Sequence, residues 1–394
     1  MGVTKFQKEG AGKVLSIGRN QWAFVPHPLP PKFENSWDLA EQISHADRNL
    51  GELAGVARTI PNPHLLIEPF TRREAVLSSR IEGTQATLED LFSAQAATQR
   101  AGPSDDVREV MNYVTALEYG LRRTKDLPVS LRLIRELHER LMKNVRGGPL
   151  TPGEFRRAQN FIGAPGCRLE DATYVPPPVL HMKEALDRFE KYLHEERRTL
   201  PPLVRLALIH YQFEAIHPFL DGNGRVGRLL VTLLLCAEGL LPQPLLYLSA
   251  YFERNRREYY RLLLEVSQSG RWTEWVKFFL TGVSQEARDA VARSNQLLAL
   301  RQEYRKKLQA AKAPGRTLEL MEMLFTEPVV TVRGAKQRLK VTTRAAQQNV
   351  DRLLRAGIVK EVTGKQRNRI FVAQKILRIV EADRAPNPEK RLGG

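Results

Sequence analysis

Apolar residues recur at helical spacing along most of the chain. Leu39, Ile43 and Leu50 form one stripe, which predicts a helix from Trp37 to Leu53. Pro61-Asn62-Pro63 breaks the pattern, and Pro69 is suited to open a second helix that runs to about Ile81, with Gly83 as its C-terminal cap. Helices are expected over Leu88–Gln99, Asp105–Thr124 and Ser130–Val145, the last with Leu131, Ile134, Leu137, His138 and Leu141 on one side. Between Gly147 and Pro178 glycines and prolines interrupt any helix. There the runs Asn160-Phe161-Ile162 and Thr173-Tyr174-Val175 are expected to pair as strands. Helical spacing resumes at Val179–Arg197 and Leu203–Ile216. Leu229–Glu238 is apolar on nearly all sides and predicts a central buried helix that Gly239 ends. Glu253–Gln268 and Trp272–Ala311 complete a helical body.

After the linker Lys312-Ala313-Pro314-Gly315 the pattern shortens. Three helices (Leu318–Phe325, Arg333–Leu339, Thr343–Ala356) precede two strands (Ile358–Val362, Arg369–Val372) joined by the turn Thr363-Gly364-Lys365, the outline of a winged helix-turn-helix. The other end, residues 1–35, is basic, carries Pro26-His27-Pro28-Leu29-Pro30-Pro31 and is expected to be an extended arm. The fold class is mainly α.

With 394 residues, two or three domains with real cores are expected, and 42% hydrophobic residues exclude disorder throughout. Two cysteines, Cys167 and Cys236, are too few for a disulfide framework or a cysteine-based zinc site. No apolar run follows the basic N-terminal residues and none reaches membrane-spanning length, so a cytoplasmic protein without a membrane partner is expected. The net charge is +17, and residues 331–370 hold eleven Lys/Arg against Asp351 and Glu361. This makes DNA a candidate partner of residues 331–372. Arg344, Gln347, Gln348 and Asn349 would begin the recognition helix, and Lys365, Arg367 and Arg369 would line the wing.

The chemistry concentrates in His217-Pro218-Phe219-Leu220-Asp221-Gly222-Asn223-Gly224-Arg225-Val226-Gly227-Arg228, a polar loop between two apolar helices. Neutral imidazole can take a proton near pH 7. A lone carboxylate can hold Mg²⁺ that is also bound to phosphates. Glycines let backbone N–H groups converge on an anion, and arginine forks match phosphate oxygens. The spacing of a P-loop is absent.

This stretch resembles the signature HPFx(D/E)GNGRxxR of the Fic (Fido) family, matched at every defined position. Gly153-Glu154-Phe155-Arg156 and Gln159–Gly163 are similar to the approach to that family's flap. Thr173, Tyr174 and Val175 are similar to the flap hairpin, which aligns a target segment by strand addition. The resemblance covers roughly residues 35–285. It implies a Fic-type helical bundle with a small β-hairpin flap, ahead of the winged helix. The division expected is an arm (1–35), an N-terminal helical region (36–110), a catalytic core (111–285), a helix and linker (286–315), the winged helix (316–380) and a tail (381–394).

The implied activity is transfer of AMP from ATP to a Ser, Thr or Tyr hydroxyl of a target protein or of the chain itself, with ATP as substrate and Mg²⁺ as cofactor. His217 would be the general base and Asp221 the Mg²⁺ ligand. Gly222, Asn223 and Gly224 would offer backbone N–H groups, and Arg225 and Arg228 would grip the β- and γ-phosphates. Asn255 would meet adenine, with Tyr259 and Tyr260 nearby. Upstream, Ser78-Ser79-Arg80-Ile81-Glu82-Gly83 is similar to the family's inhibitory motif (S/T)xxxE(G/N). Ser78 and Glu82 share a helix face, and the resemblance implies that Glu82 pairs with Arg228 and holds the enzyme off. Removal of AMP at the same site, or a DNA-binding regulator that senses nucleotide, are the alternatives. A homodimer is left open.

Overall fold

The computed structural model describes residues 6, 10–32, 36–59, 64–96, 103–145, 151–196, 199–364 and 369–382. The chain divides into two compact units. One comprises residues 1–60, 74–85 and 104–290, the other residues 61–73, 86–103 and 291–394. The boundary falls near residue 290, not at 312–315. Residues 311–314 form a short turn between α11 (Trp272–Ala310) and α12 (Gly315–Met323).

In the first unit α7 (Pro202–Ile216) and α8 (Asn223–Ala237) form the centre, packed with α4 (Asp105–Arg123), α5 (Leu131–Leu141) and α6 (Val179–Leu193). Ser104 and Ser130 cap α4 and α5 by accepting from the N–H groups of Val107 and Leu133. As expected, α8 is enclosed on nearly every side, with Leu229, Leu230, Leu233 and Leu235 all buried. It begins earlier than predicted, at Asn223, because the helix takes up the second half of the polar loop. The predicted helix over Glu253–Gln268 is two, α9 (Ser249–Arg254) and α10 (Arg256–Ser269), divided at Asn255.

Residues 12–26 do not form an extended arm. Strands β1 (Gly12–Gly18) and β2 (Gln21–Pro26) pair antiparallel, and Ala23, Phe24 and Val25 are buried. The prolines of 26–31 begin only where this hairpin ends. Ala23 packs with Ala172 and Val175, and the Phe24 N–H donates to the Val175 carbonyl at 2.8 Å, so the hairpin backs the flap segment.

Helix α2 (His64–Ile81) contains Pro69 rather than starting at it, five residues further back than the proline suggests. A proline there costs one backbone hydrogen bond, and the helix tolerates the loss. Its C-terminus is a Schellman turn. The N–H of Thr84 donates to Ser79 O and that of Gly83 to Arg80 O, with Gly83 at φ 102°. This turn fixes Glu82 just past Ile81, the last residue of the helix.

The second unit contains the expected winged helix with two additions, strand β3 (Val329–Thr331) and helix α15 (Gln374–Glu381). Its sheet has the order β3-β5-β4, with β5 at Ile370–Val372 and β4 at Lys360–Glu361. Helices α13 (Val332–Leu339) and α14 (Thr343–Arg355) form the helix-turn-helix. Asn349 is not available to a base. It is buried, accepts from the Thr317 hydroxyl at 2.6 Å and donates to Ala345 O. Gln347 donates to Asp351 at 2.7 Å, whereas Arg344 and Gln348 are exposed. Lys365 and Arg367 lie outside the described residues. No helix among the described residues is long and apolar enough to cross a membrane.

Candidate active site

The polar loop is held rigidly from below. His217 ends α7 in the left-handed conformation (φ 50°), which turns the chain sharply out of the helix. Its Nδ1 lies 3.3 Å from Glu214 O. A carbonyl only accepts, so Nδ1 carries the proton and Nε2 keeps a free lone pair. Burial pushes the His217 pKa down to about 4, so the ring is neutral at pH 7.

The Asn223 side chain closes the loop, accepting from Phe219 N–H and donating to Phe219 O, both at 2.9 Å. The first backbone bond of α8 runs from Val226 N–H to Gly222 O. The N–H groups of Asn223, Gly224 and Arg225 therefore lie ahead of the helix's own ladder, as at any helix start, and favour an anion there. The Gly222 N–H is taken by Asp221 Oδ1 at 2.6 Å.

Several residues to which the sequence assigned no role in the site build this geometry. Buried Arg156 donates through Nε to His217 O at 2.9 Å and through its terminal nitrogens to Ala158 O and Pro177 O, tying the loop to the flap. His138 accepts from Gly153 N–H at Nδ1, so its Nε2 must donate to Asp221 O at 3.1 Å, and its ring stacks on Phe219. His210 bridges Gly227 O and the Tyr259 hydroxyl. These contacts join positions far apart in sequence, which no local pattern could reveal.

Both arginines of the loop are buried and engaged by carboxylates. Arg225 donates to Glu109 at 3.1 Å and lies 3.7 Å from Asp221. Arg228 donates to Ser78 Oγ at 2.8 Å, Ser78 O at 2.9 Å and Glu82 Oε1 at 2.7 Å. Burial alone would raise the Glu82 pKa, but the charge and hydrogen bond of Arg228 outweigh it and hold the carboxyl below its usual range. The close approach depends on Gly224, where a Cβ would stand 2.4 Å from Glu82 Oε1.

Glu82, His217, Gly224 and Arg228 line one cavity of about 630 Å³ with Tyr211, Glu214, Tyr259 and Tyr260. Phe161, Ile162, Thr173 and Tyr174 of the flap line it as well. The flap is slighter than two paired strands. Its strand pairing is one antiparallel bridge, Ile162 with Tyr174, and the Tyr174 hydroxyl donates to Ala215 O. Val175 is buried against the hairpin and does not line the cavity. Neither does Asn255, whose amide donates to Tyr251 O at the junction of α9 and α10.

Comparison with known proteins agrees with this geometry. Residues 40–122 match the model described as Fic/DOC family N-terminal, residues 128–235 the Fic/DOC family model, and residues 318–371 a helix-turn-helix DNA-binding domain. Over 202 residues the chain is 32% identical to protein adenylyltransferase Fic of Drosophila grimshawi and 31% identical to that of Drosophila melanogaster. Each match covers 50% of this chain but only 38% and 37% of those relatives. Among solved structures, a Fic family protein from Desulfovibrio desulfuricans superposes with a TM-score of 0.56 at 19% identity, covering 88% of this chain and 98% of that one. Fic-1 of C. elegans gives 0.50 at 21% identity, covering 66% and 73%. A neutral histidine and two guanidiniums at a helix start, folded as in these relatives and matched by both family models, make this chain a member of the Fic/DOC family with a C-terminal helix-turn-helix domain.

Proposed function

We propose that the chain is a protein adenylyltransferase whose resting state is held off by Glu82. The observation that carries this reading is the position of Arg228, bound by Ser78 and Glu82 in the cavity that also holds neutral His217. In the reaction, His217 Nε2 removes the proton of a Ser, Thr or Tyr hydroxyl as that oxygen bonds to the α-phosphorus of ATP and diphosphate leaves. The N–H groups of Asn223, Gly224 and Arg225 stabilise charge on the phosphoryl oxygens. Arg225 and Arg228 hold the outer phosphates once their carboxylate partners give way.

The half-exposed carboxylate of Asp221, a hard oxygen donor within the loop, suits Mg²⁺. The ion would offset phosphate charge. The target segment would add to the flap at Phe161 and Ile162, both exposed. The test is labelling from α-labelled ATP with host lysate. Protein carrying Glu82→Gly should label itself or a target, and adding His217→Ala should abolish labelling while ATP still binds. Labelling that survives His217→Ala would place the base elsewhere.

A second reading concerns the winged helix. The match of residues 318–371 to a DNA-binding helix-turn-helix, with Arg333, Lys336, Lys340 and Arg344 exposed, supports binding of DNA by this unit. Affinity should then fall steeply with salt. Affinity indifferent to salt would argue for a protein partner.

A further inference from the structure

Along α7 every residue from Leu203 to Ile216 is buried except Glu214, which is part-buried. The other polar side chains of this helix each make at least one hydrogen bond, although Arg205 Nε and Gln212 Oε1 are also enclosed without one. Arg205 bonds Glu238 and two carbonyls, His210 bonds Gly227 O and Tyr259, Tyr211 bonds Ser267, and Gln212 donates to His27 O. The Glu214 carboxyl has no hydrogen-bond partner among the described residues, and its Oε1 is fully enclosed. An enclosed polar atom left unpaired costs about 1–3 kcal/mol, and native proteins seldom retain one without a use. Oε1 packs against Gly227, where a Cβ would stand 2.3 Å from it.

Glu214 faces the cavity described above, together with Tyr211, Tyr260, Leu263, Leu264 and Ser267. The cavity is also lined by Arg257 and Arg261, and a largely apolar wall carrying a few polar groups is the usual make-up of a small-ligand site, the polar groups fixing the ligand's orientation. We propose, resting on the nucleotide-transfer reading above, that Glu214 determines nucleotide specificity by accepting a hydrogen bond from a donor on the nucleoside. A triphosphate chain offers only acceptors and negative charge, so it has no donor for the carbonyl oxygen of a carboxyl. The nucleoside carries the donors, namely the sugar hydroxyls and the exocyclic amine of adenine. Burial pushes the Glu214 pKa up to about 8. At pH 7 the group is therefore neutral, accepts through its carbonyl oxygen, and adds no charge against the phosphates.

The test is calorimetric binding of Mg²⁺–nucleotides to full-length protein carrying Glu82→Gly, alone or with Glu214→Gln or Glu214→Leu. ATP should bind the Leu variant about tenfold more weakly, the equivalent of one lost hydrogen bond, while Gln, which keeps an acceptor, stays within about threefold. Three analogues then locate the donor: 2′-deoxy-ATP, 3′-deoxy-ATP and purine riboside triphosphate, which lacks the amine. The one missing the relevant donor should bind the Glu214 protein weakly and be indifferent to Glu214→Leu. The proposal is overturned if Leu and Glu bind ATP equally, or if the Glu214 protein does not discriminate among the analogues. The second readout needs no variant at position 214. Failure of any nucleotide to bind the Glu82→Gly protein would sink the adenylyltransferase reading itself, and this proposal with it.

Discussion

Replacing Glu82 with glycine removes one of the three acceptors around the Arg228 guanidinium and leaves the two supplied by Ser78. A hydrogen bond to a charged group contributes roughly 1.5–3 kcal/mol. The Glu82 side chain is 34% exposed, so solvent screening lowers that figure. About 1–2 kcal/mol is a reasonable measure of how strongly the carboxylate competes for Arg228. At 1.4 kcal/mol per factor of ten, removing it should raise the initial rate of AMP transfer about 5- to 30-fold at subsaturating ATP. Glu82→Gln separates charge from bulk. It keeps the side chain near Gly224, where a Cβ already has no room, and should release the enzyme only partly. The assay is the initial rate of incorporation from α-labelled ATP, with melting temperature checked in parallel. Equal rates in wild type and Glu82→Gly would refute the claim that this ion pair sets the resting state.

Arg156→Ala should leave the carbonyls of His217, Ala158 and Pro177 without their donor and cost about 2–4 kcal/mol. It should also depress kcat in a Glu82→Gly background, because the His217 loop loses its tie to the flap. Unchanged melting and kcat would remove Arg156 from that role. Glu214→Gln should flatten the pH dependence of stability. With a native pKa raised to about 8, the folded state binds the proton more tightly than the unfolded chain, so this group's contribution declines as pH rises from about 4.5 to 8. Above pH 8 the Gln variant should therefore melt higher than wild type. His217, pushed down to about 4, works in the opposite sense, its contribution being lost as pH falls from 6.5 to 4. In the winged helix, Asn349→Ala should cost about 1–3 kcal/mol of that unit's stability by stranding the Thr317 hydroxyl. Arg344→Ala should leave stability unchanged and reduce the salt slope of DNA binding by about one.

The sequence by itself determined the helices, because apolar spacing is a local property that survives without tertiary information. The stripe of Ser130–Val145, the all-round apolarity of Leu229–Glu238 and the helix-turn-helix outline could all be read this way. So could the loop from His217 to Arg228, whose polar residues are consecutive. Tertiary structure decided which groups that loop meets. Arg228 reaches Ser78 and Glu82 across about 150 residues, Arg225 reaches Glu109 across 116, and Arg156 reaches His217 across 61. No periodicity encodes such pairings, since they depend on how helices pack and on which buried charge needs a partner. The same holds for Asn349, which has base-capable chemistry but lies on the buried side of α14, and for Asn255, whose amide bonds Tyr251 O at the junction of α9 and α10 and does not line the cavity. Pairing β1 with β2 buries Ala23, Phe24 and Val25, which local sequence presents only as part of a basic, proline-ended stretch. Residue type stated what each group can do, and packing decided which of them face the cavity.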